Sequence, residues 1–247
     1  MAADVDYFPV ISSGLTPTQE AAVDTVENDA RLTALSRARE LLGTTINTVV
    51  GTHWDNIPYV VATSGTGTVA TSATAKSGVL VLSSGATNSG LGQVRMAAST
   101  GTTSLIDNPR TALWYIVSRM KVSTAIDAAA LCSLRIYTAA GSNPQVTWGV
   151  TGSVSTTHFV LAVIDGAGSV AASDTSTVAI DTSYHTFEMW NDGTNVHGAI
   201  DGVDVADTPS AGVATNASTG AILTFNGATN AARTIESDTL YICTVGN

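Results

Sequence analysis

Charge is scarce in this chain, and positive charge scarcer still. Only 12% of the 247 residues are charged, Lys76 and Lys121 are the only lysines, and the formal net charge is −10. Phosphate recognition needs a clustered positive field, so nucleic-acid binding is excluded as a leading function. Long apolar runs are missing too. Mean hydropathy is +0.23, yet no stretch approaches the roughly 18 apolar residues a membrane-crossing helix needs. Cysteine is limited to Cys132 and Cys243. Each lies inside an apolar strand candidate without CxxC or HxxxH spacing, which removes a conventional zinc site and favours two buried thiols over a disulfide. The start, Met-Ala-Ala-Asp-Val-Asp, lacks a basic segment followed by an apolar one. No secretory leader is read, and synthesis and assembly in a cytoplasm are expected.

Glutamate is rare as well: Glu188 is the only one between Glu40 and Glu236. Glycoside hydrolysis needs two carboxyls roughly 5 Å or 6.5–9.5 Å apart. The same-strand, same-face neighbours of Glu188 are Thr186 and Trp190, which leaves Asp165 or Asp181 from another strand as the remaining partners. No G-x-S-x-G elbow occurs. Gly65-Thr-Gly67 and Gly90-Leu-Gly92 lack the third glycine and the helix of a dinucleotide fingerprint. His53, His158, His185 and His197 stand apart, with His185 and His197 expected to face each other across a hairpin in a structural role. For calcium, Asp192 and Asp201 fall at opposite ends of a strand roughly 25 Å long. Asp201, Asp204 and Asp207 would supply three of the six to eight oxygens required, so all four aspartates read as turn and loop residues. No catalytic residue, cofactor or metal site is expected, and the chain is read as not an enzyme.

What is abundant is alanine, threonine, serine and glycine around short apolar bursts, a composition that suits sheets and turns. Tyr184 to Ala206 encodes a β-meander, with Asp192-Gly193 and Asp201-Gly202 as two-residue turns. Val196 and Ile200 alternate against Asn195, His197 and Asp201. In Leu113 to Val122, Trp114, Ile116, Met120 and Val122 share one face, and Arg119 and Lys121 share a second face that is wet or meets a partner. Strands are expected over 59–63, 66–71, 78–83, 91–97, 112–122, 131–138, 145–150, 157–164, 168–172, 176–181, 184–191, 194–201, 203–206, 220–226 and 235–245. Segments 83–90 and 207–219 read as loops. Strands at this spacing imply two stacked antiparallel sheets, so the fold class is mainly β.

A different pattern precedes them. Tyr7, Phe8, Val10 and Ile11 form an apolar cluster in an irregular arm. Thr16-Pro17-Thr18-Gln19 is a helix start, and Gly43 a helix stop. Val23, Val26, Ala30, Ala34, Ala38 and Leu41 make a thin small-residue stripe between them. So narrow a stripe suggests packing on another chain or on copies of itself rather than on its own sandwich. Residues 44–58 read as a connector. The domains are therefore 1–56, an arm and helix for attachment and oligomerisation, and 57–247, the sandwich.

Gly78 to Asn88, Trp114 to Lys121, Tyr184 to Gly193, Asp201-Gly202 and Leu240 to Cys243 together resemble the concanavalin-like jelly-roll domains of tailed-bacteriophage structural proteins, over most of residues 57–247. The resemblance implies a jelly roll behind an N-terminal attachment segment. The acid motif of the family's hydrolytic branch is absent. The expected function is a non-enzymatic virion protein, a capsid decoration, cement or head-fibre protein assembled in a host cytoplasm. Its partners would be the major capsid protein or other virion proteins, and it would form a homo-oligomer such as a trimer, held through Tyr7, Phe8, Val10, Ile11, Val23, Val26, Ala30 and Leu41. The alternative is a receptor- or glycan-binding tail-fibre or tailspike module, with Trp54, Trp148 and Trp190 as candidate sugar-stacking residues.

Overall fold

A computed structural model describes residues 33–43, 48–53, 60–71, 79–85, 90–95, 106, 108–122, 131–138, 144–165, 169–213, 218–227 and 233–245. Their strands form two antiparallel sheets. In the first, β13 (Val203–Pro209), β12 (Asn195–Ile200), β11 (His185–Asn191), β6 (Trp114–Val122), β15 (Thr234–Thr244), β4 (Leu80–Ser83) and β3 (Thr68–Thr71) lie side by side. The remaining member, β1 (Thr48–His53), pairs with β15. The second sheet runs β10 (Val170–Ala179), β9 (His158–Ile164), β8 (Pro144–Thr151), β7 (Leu131–Thr138), β14 (Ser218–Gly227), β5 (Gly90–Arg95) and β2 (Val60–Ser64). The two stacked sheets expected from the alternation, and the jelly-roll sandwich implied by the resemblance, are the fold observed.

Period-two alternation decides what lies between the sheets. Trp114, Ile116, Met120, Phe187, Met189, Leu240 and Ile242 point inward from the first sheet; Cys132, Leu134, Ile136, Trp148, Phe159 and Leu161 meet them from the second. Aromatic edges lock the middle. Phe187 packs edge-on against Phe159, with centroids 4.9 Å apart, and against Trp148 at 5.9 Å. Trp148 is pinned by its indole N–H, which donates to the Ala199 carbonyl at 3.2 Å. Cys132 and Cys243 are both free and buried.

Several local expectations are corrected. The expected connector contains β1, because β15 is eleven residues long and β4 takes up only Thr234–Ser237 of its edge. The Val-Val of β1 then covers the rest, pairing with 239–244. Segments 168–172 and 176–181 are one strand, β10, carrying a register shift. The 207–219 loop is shorter than expected, since β13 continues to Pro209 before a turn of 3-10 helix at Ser210–Gly212. Asp201-Gly202 is a tight turn with φ of 53° and 79°. At the other turn only Gly193 has positive φ, while the Asp192 carboxylate accepts from the Thr194 and Asn195 amides.

The helix differs most in its partner. Its described part, α1 (33–42), ends at Gly43, φ 61°, whose amide donates to the Arg39 carbonyl. It lies on the outer face of the first sheet of its own chain. Ala34 and Ala38 are 5% and 0% exposed against Tyr115, Val117, Trp190, Ala199, Tyr241 and Cys243, with Leu35, Leu41 and Leu42 at the margin. The stripe is narrow because a flat sheet face accepts methyl groups at close approach. The expected start at Thr16 lies outside the described residues.

The packing around Trp148 yields a test. A Cβ added at Gly198 would stand 3.0 Å from Trp148 Cε2 and Cζ2, and the ring is buried on every side. Gly198→Ala should therefore destabilise the protein by about 1–3 kcal/mol by overpacking. Gly202→Ala, at φ 79° with nothing within 4 Å, should cost about 1 kcal/mol through backbone strain alone. Denaturant midpoints would rank them.

Candidate functional site

Among the described residues, the outer face of the first sheet brings aromatic and ionisable side chains together. Strand register arranges them in rows, since residues directly opposite share a face. One row holds His197, Trp190, Tyr115 and Cys243; the next holds Ala199, Glu188, Val117 and Tyr241. Thr186, Arg119 and Thr239 follow. Lys121 and Glu236 pair in the last row, with Tyr184 just before β11.

The first two rows lie under α1. Glu188 is 4% exposed and shares one oxygen, Oε2, between the Tyr115 hydroxyl at 2.9 Å and Arg37 Nε at 3.2 Å. Arg37 also reaches Glu40 at 3.3 Å and Asp204 at 3.7 Å. Burial, and then the adjacent Glu188 carboxylate, push the Tyr115 phenol far up, so it stays protonated and donates. Trp190 stacks on His197 with centroids 5.0 Å apart. The His197 ring sits between Asp192 at 3.1 Å and Asp207 at 3.8 Å.

The last two rows are open. Arg119 is exposed, and Lys121, Tyr184 and Glu236 are half-buried. The Arg119 guanidinium lies 4.5 Å and the Lys121 ammonium 5.0 Å from the Tyr184 ring centre. Glu236 Oε2 takes the Tyr184 hydroxyl at 2.8 Å and Lys121 at 3.0 Å. Lys121, Val122, Thr182, Thr234 and Glu236 line a shallow depression there.

At the rim, His185 bridges two carboxylates, Nδ1 to Asp201 at 2.6 Å and Nε2 to Asp181 at 3.1 Å. The aspartates stand on opposite sides of the ring and converge on no common point. Among the described residues no group of three or more His, Cys, Asp or Glu could hold a metal ion.

These positions correct the candidate list. Trp148 is a core residue with no exposed face, and Trp190 is 4% exposed beneath α1. Neither is open to a sugar as described. Leu41 contacts its own sheet. Tyr7, Phe8, Val10, Ile11, Val23, Val26, Ala30 and Trp54 lie outside the described residues. His185 and His197 do not face each other, because register sets His197 against Trp190 and His185 against Met120. Asp165 and Asp181 do not meet Glu188; Asp181 is engaged by His185, and Asp165 caps Ser169 in the other sheet. The open aromatic, Tyr184, was missed, although it continues the 184, 186, 188, 190 alternation opposite Arg119 and Lys121.

No protein-family model matches the sequence, and no curated protein matches it. Solved structures do share its fold. A protein of unknown function from Shewanella oneidensis MR-1 is 12% identical, with TM-score 0.58, covering 95% of this chain and 96% of that one. An alginate lyase of polysaccharide lyase family 7 is 9% identical, with TM-score 0.51 over 72% and 82% of the two chains. A substrate-bound family 7 alginate lyase is 8% identical, with TM-score 0.50 over 70% and 81%. At such identities the likeness is one of fold. It overturns the reading of the chain as a non-enzymatic virion decoration protein, because the jelly-roll architecture on which that reading rested also belongs to enzymes acting on a polysaccharide. The exclusion of enzymatic activity falls with it.

The rim histidine has a pH signature. Burial lowers the pKa of His185, but hydrogen bonds and charge from Asp201 and Asp181 outweigh it and leave it above 6.5. A raised folded-state pKa gives stability that is complete below the unfolded value and lost as pH rises through the folded one. Thermal midpoints of the wild type should fall relative to His185→Gln as pH rises from about 6.5 through the raised folded-state value. Parallel curves for the two proteins would refute the coupling. Asp181 and Asp192 are held below 3.8 by backbone amides and histidine contacts. Their share of stability is lost as pH falls through those lowered values.

Proposed function

We propose that the chain is a carbohydrate-binding β-sandwich, and that its ligand is an acidic polysaccharide lying on the open rows of the first sheet. One observation carries the reading: Tyr184, half-buried, stands with Arg119, Lys121 and Glu236 on the outer sheet face, the two cations 4.5 Å and 5.0 Å from its ring centre. An aromatic ring offers a sugar an apolar surface, and the flanking groups supply directional hydrogen bonds. The cations fit a uronate carboxylate. In a chain with a net charge of −10, Arg119 and Lys121 stand two residues apart on one strand against the single carboxylate of Glu236 among the described residues, which leaves an excess of positive charge there. The solved structures support the class: alginate, on which the fold-sharing lyases act, is a polymer of uronic acids.

Titration calorimetry with alginate oligosaccharides, alongside neutral glucose oligomers of equal length, tests this. The acidic oligomers should bind and weaken with added salt. Tyr184→Ala and Lys121→Ala should each reduce affinity roughly tenfold or more, a loss of about 1.4 kcal/mol. Absence of binding by either class of oligomer would end the reading. Incubating the same oligomers and following the absorbance of a newly formed carbon–carbon double bond reads lyase cleavage separately.

A further inference from the structure

The open rows are one half of a longer face, and the argument for the other half rests on the glycan reading above. Six residues of β6 separate Lys121 from Tyr115, roughly 20 Å at about 3.3 Å per residue. The far half presents Trp190 and Tyr241 together with the Tyr115–Glu188 pair. Aromatic surface beside a fixed hydroxyl and carboxylate is as suited to sugar rings as the open half is. Yet α1 lies on it.

Among the described residues, what holds α1 there is two alanines, 5% and 0% exposed, three partly buried leucines, and Arg37, which spans Glu188 and Asp204. A buried ion pair contributes little net stability compared with apolar side chains of the same size. A face meant only for packing would be better served by aliphatic residues than by a carboxylate that must borrow a counter-ion from the helix. The helix stops at Gly43, in the left-handed conformation with nothing within 4 Å of an added Cβ.

We propose that α1 is a strap over a second stretch of glycan-binding surface, centred on Trp190 and the Tyr115–Glu188 pair, and that it lifts when a long saccharide spans both halves. Lifting removes Arg37 from Glu188, leaves the carboxylate accepting from Tyr115, and frees its remaining lone pairs for sugar hydroxyls. Short saccharides are served by the open half alone.

The two cysteines are built-in reporters. Cys243 lies on the strapped face and Cys132 in the core between the sheets, so alkylation of Cys243 reads strap opening and alkylation of Cys132 reads global unfolding. Iodoacetamide labelling resolved by peptide mass spectrometry would follow both in the wild type, Arg37→Gln and Ala38→Glu, with circular dichroism as the check on folding. Cys243 should label roughly tenfold faster in both variants at unchanged Cys132 rates, as a local opening eased by about 1.4 kcal/mol would give. Both variants should bind long alginate oligomers more tightly and dimers as the wild type does. If Ala38→Glu does not fold, Arg37→Gln, which leaves the alanine stripe intact, decides alone. Cys243 labelling that never outpaces Cys132 would overturn the strap. So would long-oligomer affinity unchanged in variants that open, provided Tyr184-dependent binding persists, and that outcome would leave the open-half site standing. Loss of all glycan binding, Tyr184-dependent binding included, removes the parent reading and this one together.

Discussion

A buried carboxylate must find partners, and in this protein that requirement ties three elements together. Glu188 sits on β11, takes a hydroxyl proton from Tyr115 on β6 and a guanidinium from Arg37 on α1. Removing any one partner would leave a charge or a donor facing apolar surface, at a cost of several kcal/mol where the site stays closed. The helix is thus placed by polar geometry as much as by its alanines. Arg37 can reach Glu188 only when Ala34 and Ala38 are seated on the row of Trp190, Tyr115 and Cys243. This makes the first sheet two-sided, its inner face closing the sandwich and its outer face divided between a covered half and an open one.

Much of this was legible in the residues. Alternation in Trp114 to Val122 assigns the inward face correctly, and the spacing of turns gives strands close to those observed. What escaped was what lies beyond a single strand's period. Nothing local says that the second face of β6 carries a helix at Tyr115 and Val117 but solvent at Arg119. That difference comes from where a distant segment lands. Likewise β1 has an unremarkable composition and exists because β15 is longer than β4. Trp148 and Trp190 look alike as candidate sugar platforms; phase and register put one in the core and the other under α1. Tyr184 could have been found, because it shares phase with Thr186 and Glu188 and precedes a strand that must pair with β6.

The functional expectation failed for a related reason. A jelly roll is an architecture shared by many chemistries, so an argument that travels from fold to role inherits whichever role is brought to it. That Glu188 has no second carboxyl on its own strand face bears only on the two-carboxylate hydrolytic route. A polysaccharide can also be cleaved by elimination, which asks for a neutralised carboxylate, a base and an acid rather than for two opposed carboxyls. The site, not the architecture, must therefore carry the function.

The placement of the cations is the remaining step. Of the chain's ten lysines and arginines, Arg37, Arg119 and Lys121 converge on the outer face of one sheet. Each is set against a carboxylate or an aromatic ring of that face. A surface needing only solubility would spread such groups. In a chain with a net charge of −10, Arg119 and Lys121 would be the groups that draw a negatively charged ligand to this face. The strapped half repeats the pattern with its cation supplied by the helix. Lifting α1 carries that cation away from Glu188, so the far half would meet the ligand through aromatic faces, the Tyr115 hydroxyl and a carboxylate suited to neutral hydroxyl groups.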